Sequence, residues 1–366
     1  MAIYIHQLKN WPHFQWNEQA FFSLLSEVSN LQGKLMGKVE LLGFQLKDEA
    51  NLETLIQDVI QTSEIEGEIL NPEMVRSSIA TRLGLAYSGV AHSDRNINGI
   101  VDLMLDATQN NNKTITDERL FGWHAALFPS GRSGMYKIEV GQWRTRAMQV
   151  VSGGMGKETV HYEAPKANLL ALEMIQFLNW FNEDQNLELL IKAAIAHLWF
   201  ITIHPFDDGN GRIARAITDM QLSKADGVNQ RFYSMSAEIN KQKKNYYNLL
   251  ESTQKGNLEI TEWIIWFLEC LKKSIISSNV IVDKVVKKHR FWVQNASLIS
   301  NERQHLLLNK MMDHFEGNLT TSKWAKMTKT STDTALRDIT DLVNKGILVK
   351  ANSGGRSTHY ILNENK

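Results

Sequence analysis

A glycine-rich turn between two helical patterns constrains the fold of this chain more than any other feature. Residues 186–200 are apolar on most faces, which predicts a buried helix, and Pro205 disfavours the α conformation of the residue before it, so this helix should end there. Gly209-Asn210-Gly211 accept tight or left-handed conformations at little steric cost. Residues 213–226 predict a second helix, which ends at Gly227. The sequence therefore predicts two helices joined by a tight loop.

The residues of this loop carry the chemistry of phosphate binding. A turn that leads into a helix N-terminus presents backbone N–H groups without intrahelical partners, and the helix dipole adds positive potential. Arg212 and Arg215 are three residues apart, so both guanidinium groups can lie on one side of the first helical turn and bind phosphate oxygens. Asp208 is a hard oxygen donor suited to Mg²⁺, and His204 can accept a proton near neutral pH. The pattern predicts a phosphate site with a general base beside it.

This stretch resembles the core motif of Fic-domain proteins, His-x-Phe-x-Asp/Glu-Gly-Asn-Gly-Arg-x-x-Arg. The defined positions are all met, at His204, Phe206, Asp208, Gly209, Asn210, Gly211, Arg212 and Arg215. The resemblance implies a protein adenylyltransferase, which moves AMP from ATP to a Tyr, Ser or Thr hydroxyl of a target protein or of itself. It also implies ATP as the nucleotide and Mg²⁺ as the cofactor.

The resemblance further implies a role for each of these side chains. His204 would deprotonate the target hydroxyl, and Asp208 would hold Mg²⁺ against the α- and β-phosphates. Arg212 would bind the β-phosphate and Arg215 the γ-phosphate. The α-phosphate would be cradled by the turn itself, formed by Gly209, Asn210 and Gly211. Asp207 occupies a variable position of the motif and is expected to be a solvated carboxylate.

Two other segments resemble further parts of the nucleotide site. Two β-rich runs, Gln149-Val150-Val151 and Thr159-Val160-His161-Tyr162, flank a turn at Gly153-Gly154-Met155-Gly156, which predicts a hairpin. In Fic proteins a hairpin at this place, the flap, lies over the nucleotide and docks the target backbone by strand addition. The nucleotide-facing segment is therefore expected at Thr159, Val160, His161 and Tyr162. Downstream, residues 245–250 resemble a helix that borders the adenine, with Tyr246 as the first candidate and Gln254 as the second.

A regulatory element is predicted upstream, at Thr62, Glu66 and Gly67. These residues fill the pattern Ser/Thr-x-x-x-Glu-Gly at the end of an amphipathic run that starts near Leu52. Thr62 and Glu66 are four residues apart and share a helix face, and Gly67 fits a helix C-cap. This pattern resembles the inhibitory helix of Fic proteins. The resemblance implies that Glu66 pairs with Arg215 and takes the place meant for the γ-phosphate.

Composition places few limits on the partners of this chain. Lys+Arg and Asp+Glu both number 40, so the net charge of zero gives no indication of nucleic-acid or membrane binding. The single cysteine, Cys270, excludes an internal disulfide and agrees with a reducing compartment. The chain opens without an apolar leader and has no apolar run near the roughly 20 residues of a membrane span. We therefore expect a soluble, cytoplasmic protein with no membrane contact.

Three segments are predicted along a mainly α-helical chain. Residues 1–94 would be a helical extension that carries the inhibitory helix, and residues 95–290 a Fic-type helical core with the flap inserted. Residues 301–366 would be a winged-helix domain, because three short helices precede a small hairpin. This last segment contains ten Lys/Arg and seven Asp/Glu, a net charge of +3, which does not favour DNA binding. Winged helices also serve as protein contacts.

Other functions stay open on the sequence alone. A Fic enzyme could transfer another phosphate-containing group, or remove AMP. A nucleotide-sensing, DNA-binding regulator would use the core only as a sensor. A metal-dependent phosphohydrolase would use Asp207, Asp208 and His204, but it lacks further ligands and leaves the paired arginines unexplained. The expected partners are ATP, a protein with a hydroxyl side chain and, since such relatives often dimerise, a second copy of the chain.

Overall fold

Helices make up most of the chain in the computed structural model, which describes residues 4–85, 94–153, 159–183, 186–313, 315, 317–351 and 358–363. The remaining regular structure consists of small antiparallel hairpins, so the predicted mainly α fold is confirmed. In the part of the chain described, no helix is both long enough and apolar enough to cross a bilayer.

Two compact units divide the chain, Met1–Val282 and Asp283–Lys366. This division differs from the three predicted segments. Residues 1–94 and most of residues 95–290 share one unit, because the helices of the N-terminal extension pack against those of the core. The boundary between the two units lies inside the helix Thr261–Asn295.

The helices of the first unit follow one another in this order: α1 (Phe22–Glu40), α2 (Gly43–Ile65), α3 (Pro72–Arg82), α4 (Arg95–Gln109), α5 (Asp117–Leu127), α6 (Leu170–Asn182), α7 (Leu189–Ile203), α8 (Asn210–Asp226), α9 (Met235–Lys241), α10 (Lys243–Gln254) and α11 (Thr261–Asn295). The residues of α11 from Asp283 onward belong to the second unit. Short 3₁₀ turns lie at Ile5–Gln7, Glu18–Ala20 and Ala167–Leu169.

Helices α7 and α8 form the centre of the first unit and pack against each other. Every residue of α7 from Leu190 to Ile203 is buried, which confirms the predicted buried helix. Helix α8 starts three residues earlier than predicted, because Gly209 adopts φ 79° and its carbonyl accepts the N–H of Ile213 at 3.0 Å. The helix ends, as predicted, at Gly227, whose φ is 68°. The glycine turn therefore forms the first turn of α8.

Helix α2 ends in the cap that the sequence predicts. Gly67 has a φ of 86°, a left-handed conformation that glycine adopts without strain. Its N–H donates to the Glu64 carbonyl at 3.0 Å, and the N–H of Glu68 donates to the Ser63 carbonyl at 3.0 Å. This pair of bonds is the Schellman pattern of a helix C-terminus. The cap fixes where the chain places Glu66 and Glu68.

Two hairpins lie beside the central helices. The first pairs β1 (Arg132–Ser133) with β2 (Tyr136–Lys137). The second pairs β3 (Gln149–Ser152) with β4 (Thr159–Glu163), with a register shift between Val150 and Val151. These are the two strands predicted for the flap. Residues 154–156 of its predicted turn lie outside the described residues.

The second unit has the predicted order of helices and strands: α12 (Glu302–Asp313), α13 (Thr321–Thr328), α14 (Thr332–Asn344), β5 (Leu348–Lys350) and β6 (Tyr360–Leu362). Strands β5 and β6 are antiparallel, and Leu319 forms an isolated bridge with Tyr360 of β6. Its core is built around Trp324, Ile339 and Leu342, which are fully buried.

Close packing of α4 on α5 generates a stability prediction. A Cβ on Gly99 of α4 would lie 1.7 Å from the carbonyl oxygen of Ala126 in α5. We expect Gly99→Ala to force the two helices apart and to lower the stability by about 1–3 kcal/mol. Gly33→Ala is the matched control, because nothing lies within 4 Å of its Cβ position on exposed α1. Thermal denaturation followed by circular dichroism should show a lower Tm for the first variant alone; equal Tm values would contradict this packing.

Candidate functional site

The loop between α7 and α8 places His204 at the end of a buried helix. His204 has φ 51° and ψ 59°, a left-handed conformation that is uncommon outside glycine, and its N–H donates to the Phe200 carbonyl at 3.0 Å. Asn210 then fixes the next turn from both sides. Its Oδ1 accepts the N–H of Phe206 at 2.9 Å, and its Nδ2 donates to the Phe206 carbonyl at 2.8 Å. The buried Asn210 side chain therefore shapes the loop.

The His204 imidazole is held in the form that a general base requires. Its Nδ1 lies 3.1 Å from the Ile201 carbonyl, which can only accept, so Nδ1 carries the proton and Nε2 the lone pair. The pKa of His204 is lowered to about 4: burial is the largest cause and the Arg144 guanidinium adds to it, while the Ile201 bond, Glu66 and Asp208 act in the opposite direction. The ring is therefore neutral at pH 7.

A cavity of about 630 Å³ opens at this loop. Ten of the residues predicted for the site line it: Glu66, His161, Tyr162, His204, Asp208, Asn210, Gly211, Arg215, Tyr246 and Gln254. Four residues predicted to contact the nucleotide are not among the lining residues: Thr159, Val160, Gly209 and Arg212. Strand β4 thus reaches the cavity through His161 and Tyr162. Residues 148–152, on the other side of the flap, line it as well.

Arg215 binds the end of α2 through three hydrogen bonds. Its Nε donates to Thr62 Oγ1 at 2.7 Å, and its Nη2 donates to the Thr62 carbonyl at 3.0 Å and to Glu66 Oε1 at 2.6 Å. Burial alone would lower the pKa of Arg215, but the carboxylate of Glu66 raises it, so the arginine stays charged. The ion pair expected between Glu66 and Arg215 is present.

Gly211 makes room for this carboxylate. A Cβ at that position would lie 2.3 Å from Glu66 Oε1 and 3.2 Å from Arg215 Nη1. The absence of a side chain at the first turn of α8 therefore creates a seat for an anion between the helix N-terminus and Arg215. Glu66 occupies that seat.

Arg212 has a carboxylate partner as well. Its Nη1 donates to Glu68 Oε2 at 3.1 Å, and its guanidinium lies 5.0 Å from the centre of the Phe128 ring. Its Nε is buried and has no hydrogen-bond partner among the described residues. The pairing of Glu68 with Arg212 was not expected from the sequence.

The two carboxylates after Phe206 are both anchored by the protein. Asp208 Oδ1 accepts the N–H of Gly209 at 2.6 Å, and its Oδ2 accepts the hydroxyl of Ser133 from the β1–β2 hairpin. Asp207 Oδ2 accepts the N–H of Glu139 at 2.9 Å. The prediction that Asp207 is merely solvated is therefore wrong: it is half-buried and fastens the segment after β2 to the loop.

Aromatic and amide side chains form the wall opposite the loop. The Tyr246 hydroxyl lies 2.8 Å from His197 Nε2, and its ring stacks on Trp266 with centroids 5.4 Å apart. Gln254 Nε2 donates to Thr202 Oγ1 at 3.2 Å. Two exposed residues of α10 that the sequence did not single out, Lys244 and Tyr247, also line the cavity. This wall combines flat rings with a cation at its edge.

The flap is attached to its surroundings by the C-terminal half of β4. His161 Nδ1 lies 2.6 Å from Glu251 Oε2 of α10, and the buried Tyr162 donates its hydroxyl to the Thr202 carbonyl at 2.7 Å. From the N-terminal extension, Tyr4 packs edge-on against Tyr162 with ring centroids 5.1 Å apart, and His6 Nε2 donates to the Glu163 carbonyl at 2.9 Å. The extension is therefore part of the wall behind the flap.

A multi-ligand metal centre is not found in the described ranges. Among those residues, no group of three or more His, Cys, Asp or Glu side chains is placed to hold a metal ion. The phosphohydrolase alternative, which needs several protein ligands, therefore has no ligand set in this part of the chain.

Known proteins similar to this chain match its central part. Residues 114–222 match the Fic/DOC family, and residues 4–85 match a family described as a domain of unknown function (DUF4172). Over 231 residues, 62% of this chain, it is 27% identical to the protein adenylyltransferase Fic of Drosophila grimshawi and 26% identical to that of Drosophila melanogaster. The matched regions are 43% and 42% of those proteins, so the chain spans less than half the length of these curated relatives.

Solved structures show the same fold. A Fic family protein from Desulfovibrio desulfuricans G20 superposes with a TM-score of 0.54 at 18% identity, over 94% of this chain and 96% of that one. A Fic domain containing signaling protein from Bacteroides thetaiotaomicron superposes with a TM-score of 0.52 at 19% identity, over 70% of this chain and 97% of the other. The Fic-type helical architecture is thereby confirmed.

The environment of His204 generates a spectroscopic prediction. We expect its imidazole to stay neutral with the proton on Nδ1 down to about pH 4, and Glu66→Gln to lower the titration midpoint further, since the lost carboxylate raises the pKa. Nitrogen-15 NMR of histidine-labelled protein measures both the tautomer and the midpoint. A midpoint at or above the ordinary value of roughly 6.5, or a proton on Nε2, would contradict the geometry.

Proposed function

We propose that the protein is an adenylyltransferase that moves AMP from ATP to a hydroxyl group of a target protein, since residues 114–222 match the Fic/DOC family. One observation carries the proposal. The Glu66 carboxylate sits between Gly211 and Arg215, where a substrate phosphate would sit, beside the neutral imidazole of His204. Relatives named protein adenylyltransferase Fic support AMP as the transferred group.

In the proposed reaction His204 acts as the general base. Its Nε2 takes the proton of a target Tyr, Ser or Thr hydroxyl, and the oxygen then forms a bond to the α-phosphorus of ATP. The bond from the α-phosphorus to the bridging oxygen breaks, and pyrophosphate leaves with the electron pair. A pKa of about 4 keeps the base deprotonated at neutral pH, and the negative charge of bound phosphates would raise it toward the range where a base is most effective.

The phosphate chain has a ready set of donors. The first-turn N–H groups of α8 lack intrahelical acceptors, and Arg215 already holds one anion. Asp208 faces the same cavity and has lone pairs left after accepting two hydrogen bonds, which fits a Mg²⁺ ligand. When bound, Mg²⁺ would neutralise charge on the phosphates. The rings of Tyr246 and Tyr247 would border the adenine.

We further propose that the end of α2 inhibits this reaction. Arg215 cannot bind a γ-phosphate fully while its guanidinium donates to Glu66 and Thr62. The Gly67 cap holds the carboxylate in place, so ATP would enter with its phosphate chain displaced from the position that exposes the α-phosphorus. Release of α2, or loss of the carboxylate, would restore the productive position.

Removing the Glu66 carboxylate should therefore activate the protein. We expect Glu66→Gly to raise AMP transfer by about tenfold or more, because a charge-assisted hydrogen bond of about 1.5–3 kcal/mol no longer competes for Arg215. The measurement is incorporation of label from α-labelled ATP, with mass spectrometry for the added AMP. Glu64→Gly, on the exposed side of the same helical turn, should leave the rate unchanged, and His204→Ala in the Glu66→Gly background should abolish it. Label that survives the loss of His204 would refute the proposed base.

Glu68 should inhibit more weakly. Its side chain is 49% exposed and makes one contact of 3.1 Å to Arg212, so the pair is worth about 0.2–1 kcal/mol. We expect Glu68→Gln, added to Glu66→Gly, to lower the ATP concentration for half-maximal rate by about 1.4- to fivefold, the factor that corresponds to this energy range. Glu64→Gln in the same background is the neutral-charge control. An unchanged ATP dependence would assign Glu68 no part in inhibition.

For the second unit we propose a winged-helix fold that contacts protein. The order α12, α13, α14, β5, β6 and the bridge from Leu319 to β6 support that fold. Asp338 of α14 is paired with Arg303 at 2.9 Å, and the mild net charge of +3 from ten basic and seven acidic residues over 301–366 is small for a DNA-binding surface. These features favour a protein partner over the alternative of a DNA-binding regulator.

A further inference from the structure

Arg144 is a buried arginine whose hydrogen bonds all go to backbone carbonyl groups. It is 2% exposed. Its Nε donates to the carbonyl of His204 at 2.8 Å, and its own backbone N–H donates to the carbonyl of Pro205 at 2.9 Å. One residue thus holds two successive peptide groups of the loop that carries the proposed base.

Together with Asn210, Arg144 satisfies the backbone of this loop completely from His204 to Phe206. The His204 N–H bonds to α7, Pro205 has no N–H, and both polar groups of Phe206 bond to the Asn210 side chain. The two remaining groups are the carbonyls of His204 and Pro205, and these are the ones that Arg144 binds. The left-handed conformation of His204 is unfavourable for a residue with a Cβ, so it needs such bonds to persist.

The other two guanidinium nitrogens reach the base of the flap. Nη1 donates to the carbonyl of Arg146, which precedes β3, at 2.7 Å, and Nη2 donates to the carbonyl of Pro165, which follows β4, at 2.6 Å. The hairpin is closed at the same end by a bond of 3.0 Å from the Ala164 N–H to the Met148 carbonyl. Arg144 therefore joins both ends of the flap to the catalytic loop through one rigid, planar group.

Packing alone does not require a cation at this place. Burial lowers the pKa of Arg144, since the charged form is desolvated, and an apolar side chain would fill the same volume without that penalty. What the guanidinium adds is a set of donors in fixed directions, aimed at the loop and at the flap. The contribution of Arg144 is therefore to fix the distance between the loop and the flap.

We propose that Arg144 is a positioning residue that holds the His204 imidazole in register with the flap, and so with a target hydroxyl presented by a strand docked there. This inference rests on the proposed function, in which the flap binds the target and His204 takes the proton. Arg144 does not line the cavity, so it would act on the base and the target and not on the nucleotide. Loss of Arg144 should then slow transfer while leaving the affinity for ATP intact.

The test compares Arg144→Met, Arg144→Lys and Arg146→Met, each in the full-length Glu66→Gly protein. Arg146→Met is the matched control. It removes an equal charge from an exposed side chain two residues after Arg144, and it keeps the backbone carbonyl that Arg144 binds.

We expect Arg144→Met to lower kcat by about a hundredfold, the effect of roughly 1 Å of misplacement at a reacting centre. The Kd for Mg-ATP, measured by calorimetry, should stay within about twofold, an energy difference below 0.5 kcal/mol. Arg144→Lys, with one point charge in place of the fork, should restore little of kcat.

Hydrogen–deuterium exchange provides a readout that does not depend on activity. Arg144→Met should speed exchange in the peptides that contain the loop after His204 and strand β4, with no change in α4 or α11. If Arg144→Met fails to fold, Arg144→Lys carries the same comparison. Variants of Arg144 that match Arg146→Met in kcat and exchange would overturn the inference, and so would a uniform rise in exchange. A Glu66→Gly parent that transfers no AMP would refute the proposed function, while localised exchange would still identify the coupling of loop and flap.

Discussion

A buried guanidinium that must be paired governs the arrangement of the whole site. Arg215 lies in the centre of the first unit, on a helix packed against the fully buried α7, and is 2% exposed. A charge in such a place is unstable unless oxygen atoms surround it. The end of α2 supplies those oxygens through Thr62 and Glu66. In the proposed reaction a triphosphate would supply others, so α2 and the nucleotide would compete for the same guanidinium.

The rest of α2 is attached to the core by a second set of polar contacts on the same side of the helix. Asn51 Oδ1 accepts the N–H of Arg231 at 3.0 Å, and Asp58 accepts the hydroxyl of Ser234. Arg231 in turn pairs with Asp219 of α8 at 2.9 Å. Burial raises the pKa of Asp58 and Asp219, whose carboxylates face the shared arginine. Glu66 thus lies at the end of a row of polar side chains on α2. Its position depends on the contacts of Asp58 and Asn51, which are two and four helical turns before it.

Local sequence patterns predict those parts of the structure whose conformation depends only on neighbouring residues. The pattern of prolines and glycines predicts the end of α7, the cap at Gly67 and the end of α8, because each depends on backbone conformations that few residues adopt. The pairing of Glu66 with Arg215 came from resemblance, and the spacing of Thr62 and Glu66 agreed with it. The start of α8 was placed three residues too late, because glycine and asparagine in a first helical turn look like a loop in the sequence.

Contacts between distant segments could not be predicted in this way. Glu68 contacts Arg212, and Ser133 contacts Asp208. The partners are far apart in the sequence, where helix and strand periodicity gives no information about contacts. The register shift between Val150 and Val151 of the flap is also invisible in the sequence, because nothing in the alternation of residues marks it. Asp207 looked solvated because its partner is a backbone N–H of a segment far along the chain.

Tyr4 and His6 contact β4, so the N-terminal extension and the flap depend on each other. Residues 4–85 and 114–222 match different families, yet the first few residues of one match shield a tyrosine of the other from water and bind the carbonyl beside it. A fragment cut between the two matches would leave the back of the flap bare, and its apolar ring exposed. The contacts that bury this ring therefore cross the boundary between the two family matches, so the back of the flap is completed by residues of the other match.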